Sequence, residues 1–271
     1  MIYQTIQGSR VPALGFGTFE ITGKACREAV VNALALGYRH VDTAQSYENE
    51  AEVGEGLRAA GVDRDEVFLT TKIWIGGLAP KDVRPTAEES LRRLRADYID
   101  LLLIHWPTHD MHLAGALDAM RGLQDEGKVR HIGVSNFTPT LLREAMEHAP
   151  IFCNQVEYHP FLGQPRLAEM ARRHDLLLTA YSPIARGRVN DDPVLRAIGE
   201  AHGKTPIQVA LRWLVQQDHV AAIPKAARPE HRAANLAVFD FELTGEEMDR
   251  LFALDRGERL IDPNWGPDWE R

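Results

Sequence analysis

Two rhythms of apolar residues alternate along this chain. Short apolar runs bounded by Gly, Pro, Asp or Asn read as buried strands, and longer runs with apolar positions three and four apart read as amphipathic helices. A hairpin opens the pattern, turning through Gln7-Gly8-Ser9-Arg10, and a first core strand is expected over 14–18. Strands come next at 38–42, 67–71, 98–104, 129–134, 153–157, 176–181 and 220–223. Helices fall between or after them at 24–36, 49–60, 81–96, 113–126, 138–148, 164–173, 206–217 and 229–238. Two further helices, 193–202 and 245–254, are extra to the alternation. Eight strand–helix units with no Pro/Gly/Ser-rich linker predict a (β/α)8 TIM barrel of the α/β class, with an N-terminal β-hairpin and two extra helices, as a single domain over 1–271. A doubly wound sheet would carry a glycine fingerprint after its first strand. Here Gly15-Phe16-Gly17 lacks the third glycine, and Gly54-Glu55-Gly56 falls inside a helix.

Three successive strands deliver ionisable groups at the same relative place. Strand 38–42 ends at Asp42 and turns to Tyr47, strand 67–71 runs into Lys72, and strand 98–104 runs into His105. Alone, each residue has an ordinary structural use as a turn cap, an anchor, a rim charge or a core histidine. In a barrel, the C-terminal ends of the strands share one mouth, so the four side chains are expected to converge there. An ammonium at Lys72 beside Tyr47 would lower the phenol's pKa, with Asp42 holding the lysine in place. Tyr47 then becomes a general acid, and His105 a hydrogen-bond donor that polarises a carbonyl oxygen.

Composition narrows the partners. A net charge of −8 argues against a general affinity for nucleic acid, and no apolar stretch reaches membrane-spanning length. The N-terminus lacks the regions of a signal peptide, and Cys26 and Cys153 are far apart and outside any C-x-x-C pair, which predicts a cytoplasmic protein. The site has neither a nucleophile–base pair nor a metal, so hydride must come from a cofactor.

The residues that carry a family resemblance are Leu14-Gly15-Phe16-Gly17-Thr18-Phe19, the Gly37 to Glu50 stretch, Thr71-Lys72-Ile73-Trp74, Asp100-Leu101-Leu102-Leu103-Ile104-His105-Trp106-Pro107, Gly133-Val134-Ser135-Asn136-Phe137, Asn154-Gln155-Val156-Glu157 and Ile223-Pro224-Lys225. With these motifs in this order, essentially the whole chain resembles the aldo-keto reductase family, in particular its small bacterial branch of 2,5-diketo-D-gluconate and methylglyoxal reductases. The resemblance implies a catalytic tetrad of Asp42, Tyr47, Lys72 and His105 with Tyr47 as proton donor. It also implies that Ser135, Asn136 and Gln155 bind the nicotinamide carboxamide, that Tyr181 stacks on the ring beside Ser182, and that Asn235 contacts adenine. Lys225, Arg228 and the helix N-terminus near Pro229 would meet the cofactor phosphates. Family members specific for NADPH place a serine directly after the lysine and an arginine six residues on, where this chain has Ala226 and His231. An imidazole clamps a 2′-phosphate less well than a guanidinium, so NADPH is expected as the preferred donor by a reduced margin, with NADH second.

Phe19, Trp74 and Trp106, with Trp265 from the tail, are expected to wall a small apolar pocket suited to small aldehydes, α-dicarbonyls and keto-sugar acids. Arg186 and Arg188 are candidates for the cofactor pyrophosphate or a substrate carboxylate. His105, His109, His112 and Asp110 lack the spacing of a helix-borne metal site, and the resemblance gives His105 another role, so no metal is expected. A monomer is expected. Two alternatives stay open from sequence: a Lys72 Schiff-base aldolase, and a non-enzymatic nucleotide-binding regulatory barrel of the kind the family also contains.

Overall fold

Gln7 and Gly8 both hold positive φ, the geometry of a tight two-residue hairpin turn, and fold β1 (Tyr3–Ile6) onto β2 (Ser9–Pro12). The remaining elements alternate as the apolar pattern dictates in this computed structural model, which describes residues 1–269. β3 (Phe16–Gly17) leads to α1 (Gly23–Leu36), β4 (His40–Asp42) to α2 (Glu50–Ala59), and β5 (Phe68–Ile73) to α3 (Pro80–Leu94). β6 (Ile99–Ile104) leads to α4 (Leu113–Asp125), β7 (Val129–Ser135) to α5 (Pro139–His148), and β8 (Cys153–Glu157) to α6 (Pro165–His174). After β9 (Leu177–Tyr181) the extra helix α7 (Pro193–His202) precedes α8 (Pro206–Val215). β10 (Val220–Ala222) leads to α9 (Pro229–Leu236), and the second extra helix, α10 (Gly245–Phe252), comes last.

β3 to β10 lie side by side in chain order, each parallel to the next. Isolated parallel bridges from Leu14 to Ala222 and from Gly17 to Lys225 join the first strand to the last and close the barrel. The core strand expected over 14–18 therefore pairs regularly with β4 at only two residues; its other edge meets the last strand through these bridges. Closure needs Gly17: a Cβ there would stand 2.7 Å from the carbonyl oxygen of Ile223, closer than two non-bonded atoms pack.

The core has two bodies. One fills the layer between the strands and the helices. The other lies within the barrel, where Ile6 and Val11 of the hairpin pack with Phe68, Leu101, Phe152 and Leu177. Phe68 and Leu177 begin their strands, so the hairpin plugs the N-terminal end of the barrel. Burying Ile6 and Val11 fully contributes about 1.5–3 kcal/mol each. The opposite end, where the strands finish, opens onto a groove.

Candidate active site

Asp42 ends β4, Lys72 is the penultimate residue of β5, and His105 directly follows β6. Tyr47 closes a 3₁₀ turn over Gln45–Tyr47. That turn is pinned by Gln45, whose amide donates to the Thr86 carbonyl and Ser90 Oγ while its oxygen accepts the Trp74 N–H. Asn49 fixes the next residues by donating to the carbonyls of Thr18 and Ile21 and accepting the Thr43 hydroxyl.

Lys72 has no exposed surface, and an ammonium so placed must satisfy its three N–H donors within the protein. Nζ lies 2.6 Å from Asp42 Oδ1, 2.8 Å from the Thr43 carbonyl and 3.5 Å from Tyr47 Oη. Asp42, equally buried, accepts a second hydrogen bond on Oδ2 from Gln155 Nε2 at 2.8 Å. Two donors of the ammonium are thus committed, and the third faces the phenol.

Burial works to lower the Lys72 pKa, but the Asp42 carboxylate and the Tyr47 phenol outweigh it, and the net direction is upward. Lys72 therefore stays charged, which disfavours the Schiff-base alternative, since that chemistry needs a neutral amine. The expected lowering of the Tyr47 pKa is corrected: its pKa is raised. Burial is the largest cause, Asp42 adds to it, and the ammonium offsets only part of the sum. Tyr47 is therefore held as a protonated phenol, and the Lys72 ammonium 3.5 Å from its oxygen is placed to stabilise a phenolate there. His105 is pushed well below the usual imidazole range, first by burial and then by Lys72, so it is neutral. Its Nδ1 lies 3.3 Å from Ser46 Oγ.

These side chains open onto a groove of about 870 Å³. On one side lie Asn136, Gln155, Tyr181 and Ser182, with Lys225, Arg228 and His231 beyond them. Asn136 donates to the His105 carbonyl and to Ser135 Oγ, and its Oδ1 accepts the Tyr181 hydroxyl at 2.7 Å. Ser135 is buried, donates to the Gln155 carbonyl, and supports the groove rather than lining it. Asn235 is buried beside Tyr38 and does not line the groove either. Of the two arginines, Arg186 lines the groove, whereas Arg188 pairs with Glu258 away from it.

On the other side stand Phe19, Trp74 and Trp106. Phe19 meets the Tyr47 ring edge-on at 5.0 Å, and Trp74 meets His105 at 5.2 Å. Trp265 does not line the groove directly but packs edge-on to Trp74 at 5.8 Å and to Trp106 at 5.2 Å.

Sequence reasoning did not find Ser46, Ile261 or Glu20, which also line the groove. Glu20 Oε2 lies 3.7 Å from Lys225 Nζ, an acid inside a cluster of cations. The signal for Ser46 was its place beside Tyr47; no sequence signal joins Glu20 to Lys225, which meet only because the barrel closes.

The family model for the aldo/keto reductase family matches residues 13–256. The chain is 37% identical to the methylglyoxal reductase DkgB of Yersinia pestis, over 96% of this chain and 99% of that one. It is 41% identical to the morphine 6-dehydrogenase of Pseudomonas putida, over 96% and 92%. A solved structure of a proposed 2,5-diketo-D-gluconic acid reductase B superposes with a TM-score of 0.97 at 46% identity, covering 99% of this chain and 97% of that one. With a closed barrel, a match through nearly all of it, and relatives above one third identity along their full lengths, the chain belongs to the aldo/keto reductase family and is an oxidoreductase.

Proposed function

We propose that the protein reduces small aldehydes, α-dicarbonyls and keto-sugar acids, of the methylglyoxal and 2,5-diketo-D-gluconate class, to alcohols, with NADPH as preferred hydride donor and NADH as a second. The observation that carries this reading is the third donor of a buried, paired Lys72 ammonium directed at Tyr47 Oη in a groove walled by Phe19, Trp74 and Trp106. The names of the relatives, methylglyoxal reductase and 2,5-diketo-D-gluconic acid reductase, favour the same substrates.

The donor set fits a nicotinamide dinucleotide, which supplies hydride when bound. Asn136 and Gln155 offer the remaining acceptor capacity of their amide oxygens to its carboxamide, Tyr181 a ring face pinned by its hydroxyl, and Lys225 and Arg228 positive charge for its phosphates. His105, neutral, donates to the substrate carbonyl oxygen and orients it between itself and Tyr47. As negative charge grows on that oxygen, Tyr47 gives it the phenolic proton, and the Lys72 ammonium stabilises the phenolate. The aromatic walls keep water from the reacting carbon. His231, where a guanidinium would clamp a 2′-phosphate, and Glu20 beside Lys225 both narrow the margin for NADPH over NADH. The whole chain acts as one catalytic unit, a monomer of the cytoplasm, in keeping with two free, buried thiols.

A carbonyl panel run with each nucleotide tests the reading. Methylglyoxal should be among the better substrates, with kcat/KM higher with NADPH than with NADH by about tenfold or less, a difference of roughly 1.4 kcal/mol. A panel that oxidises neither nucleotide rejects the activity, and equal or reversed values reject the cofactor preference.

A further inference from the structure

Glu157 ends β8, is fully buried, and belongs neither to the charge pair nor to the groove lining. Its carboxylate nevertheless collects donors from a distant part of the chain. The Leu260 N–H lies 2.9 Å from Oε1 and 3.2 Å from Oε2, and the Ile261 N–H lies 2.9 Å from Oε2. His159 Nε2 is 3.0 Å from Oε1. Just upstream in the tail, the N–H groups of Arg256 and Glu258 donate to the Phe161 carbonyl at 3.3 and 2.9 Å. The backbone of 256–261 is therefore tied to the junction of β8 and α6. A buried carboxylate persists only where donors satisfy it, and two of these donors are supplied by the tail.

Beyond Leu260 the tail forms the outer wall on the substrate side. Ile261 lines the groove, and Trp265 wedges against Trp74 and Trp106. Trp269 donates to Asp262 Oδ1 at 2.9 Å and lies beneath the Arg259 guanidinium, so the tail is folded on itself as well as attached. Two residues before Glu157 and on the same face of β8, Gln155 donates to Asp42. One strand end holds both the charge pair and the wall.

We propose that Glu157 is a positioning residue for substrate recognition: through the Leu260 and Ile261 amides it fixes the tail as the outer wall of the pocket. Capture of small carbonyl compounds depends on it and dinucleotide binding does not. This rests on the carbonyl-reductase reading above.

Glu157→Gln keeps the side chain's shape but replaces one acceptor oxygen with an NH₂ that faces the tail amides. Methylglyoxal should show a KM raised about tenfold with kcat within about threefold, because the tail amides lose hydrogen bonds to the carboxylate. KM for a bulky aromatic aldehyde such as 4-nitrobenzaldehyde should change less, and the NADPH dissociation constant should stay within about twofold. Leu260→Pro, which removes a donor from the tail together with a partly buried side chain at the edge of the core, should give the same split. Wild-type KM values in both variants overturn the proposal. So does a Glu157→Gln protein that loses NADPH binding while Leu260→Pro behaves as wild type, since Glu157 would then only support the barrel. If wild type turns over no carbonyl at all, the reductase reading fails, and acrylamide quenching of tryptophan fluorescence still decides this point. Quenching greater in both variants than in wild type supports a tail held by Glu157, and unchanged quenching rejects it.

Discussion

Lys72 shows how much a single side chain can determine. It is buried, doubly committed to Asp42 and Thr43, and left with one donor for Tyr47. The four residues at the strand ends were legible because a barrel sends every strand to one mouth, so position in the pattern implied position in space. The direction of the Tyr47 shift was not legible. It is a balance of burial, Asp42 and Lys72, and that balance depends on distances no sequence contains. Histidines carry a consequence for stability: burial lowers the pKa of His131, and two more buried imidazoles shift the same way. Burial lowers the pKa of His40, with Asp42 and the Pro12 carbonyl opposing, and lowers that of His105, reinforced by Lys72. All three folded values lie below the unfolded one near 6.5, so below that pH the unfolded chain takes up protons that the folded chain refuses. Stability should therefore fall on acidification from pH 7 to 5.5, with a limiting slope of about 1.4 kcal/mol per pH unit for each histidine. Urea unfolding across that range should show this slope, and His40→Gln should flatten it; a stability that rises on acidification contradicts the assignment.

Elements differ in how far their own sequence reveals them, and the reason is where their partners lie. Helices such as α1 and α6 announce themselves through apolar spacing within their own sequence. β3 is different: Gly17, and Leu14 just before the strand, each meet a residue over two hundred positions away through a single bridge, and only Phe16 and Gly17 form regular strand. Its closure depends on close approach to Ile223. Gly17→Ala should force β3 and the last strand apart and cost about 1–3 kcal/mol, the range for overpacking a tight site. Thermal unfolding should show the loss, and carbonyl reduction should fall with it, because Gly17 also lines the groove. An unchanged melting temperature would mean that the barrel closes without this contact.

At the scale of the molecule, the barrel divides its labour between ends. The hairpin plugs one end with apolar side chains, and the other gathers charge, amides and aromatics around one groove. That the strands finish at one shared mouth was legible from the strand–helix alternation, whereas the hairpin's place inside the other end and the pairing of Glu20 with Lys225 across the closed seam were not. Cofactor selection sums charges contributed by several loops around the groove. His231→Arg should raise the NADPH-to-NADH ratio of kcat/KM about tenfold by adding a charge-assisted contact to the 2′-phosphate. The gain should shrink at high salt, as the groove is open to solvent. A ratio unmoved by the substitution would place the 2′-phosphate elsewhere.

On the proposed function, one phenol, backed by a buried ammonium, gives the proton that completes carbonyl reduction. Tyr47→Phe removes a single oxygen from that site. Steady-state reduction of methylglyoxal by NADPH, measured alongside the NADPH dissociation constant, should show kcat down by about 10²–10⁴ with nucleotide binding unchanged within about twofold. Turnover within a few-fold of wild type would contradict the account.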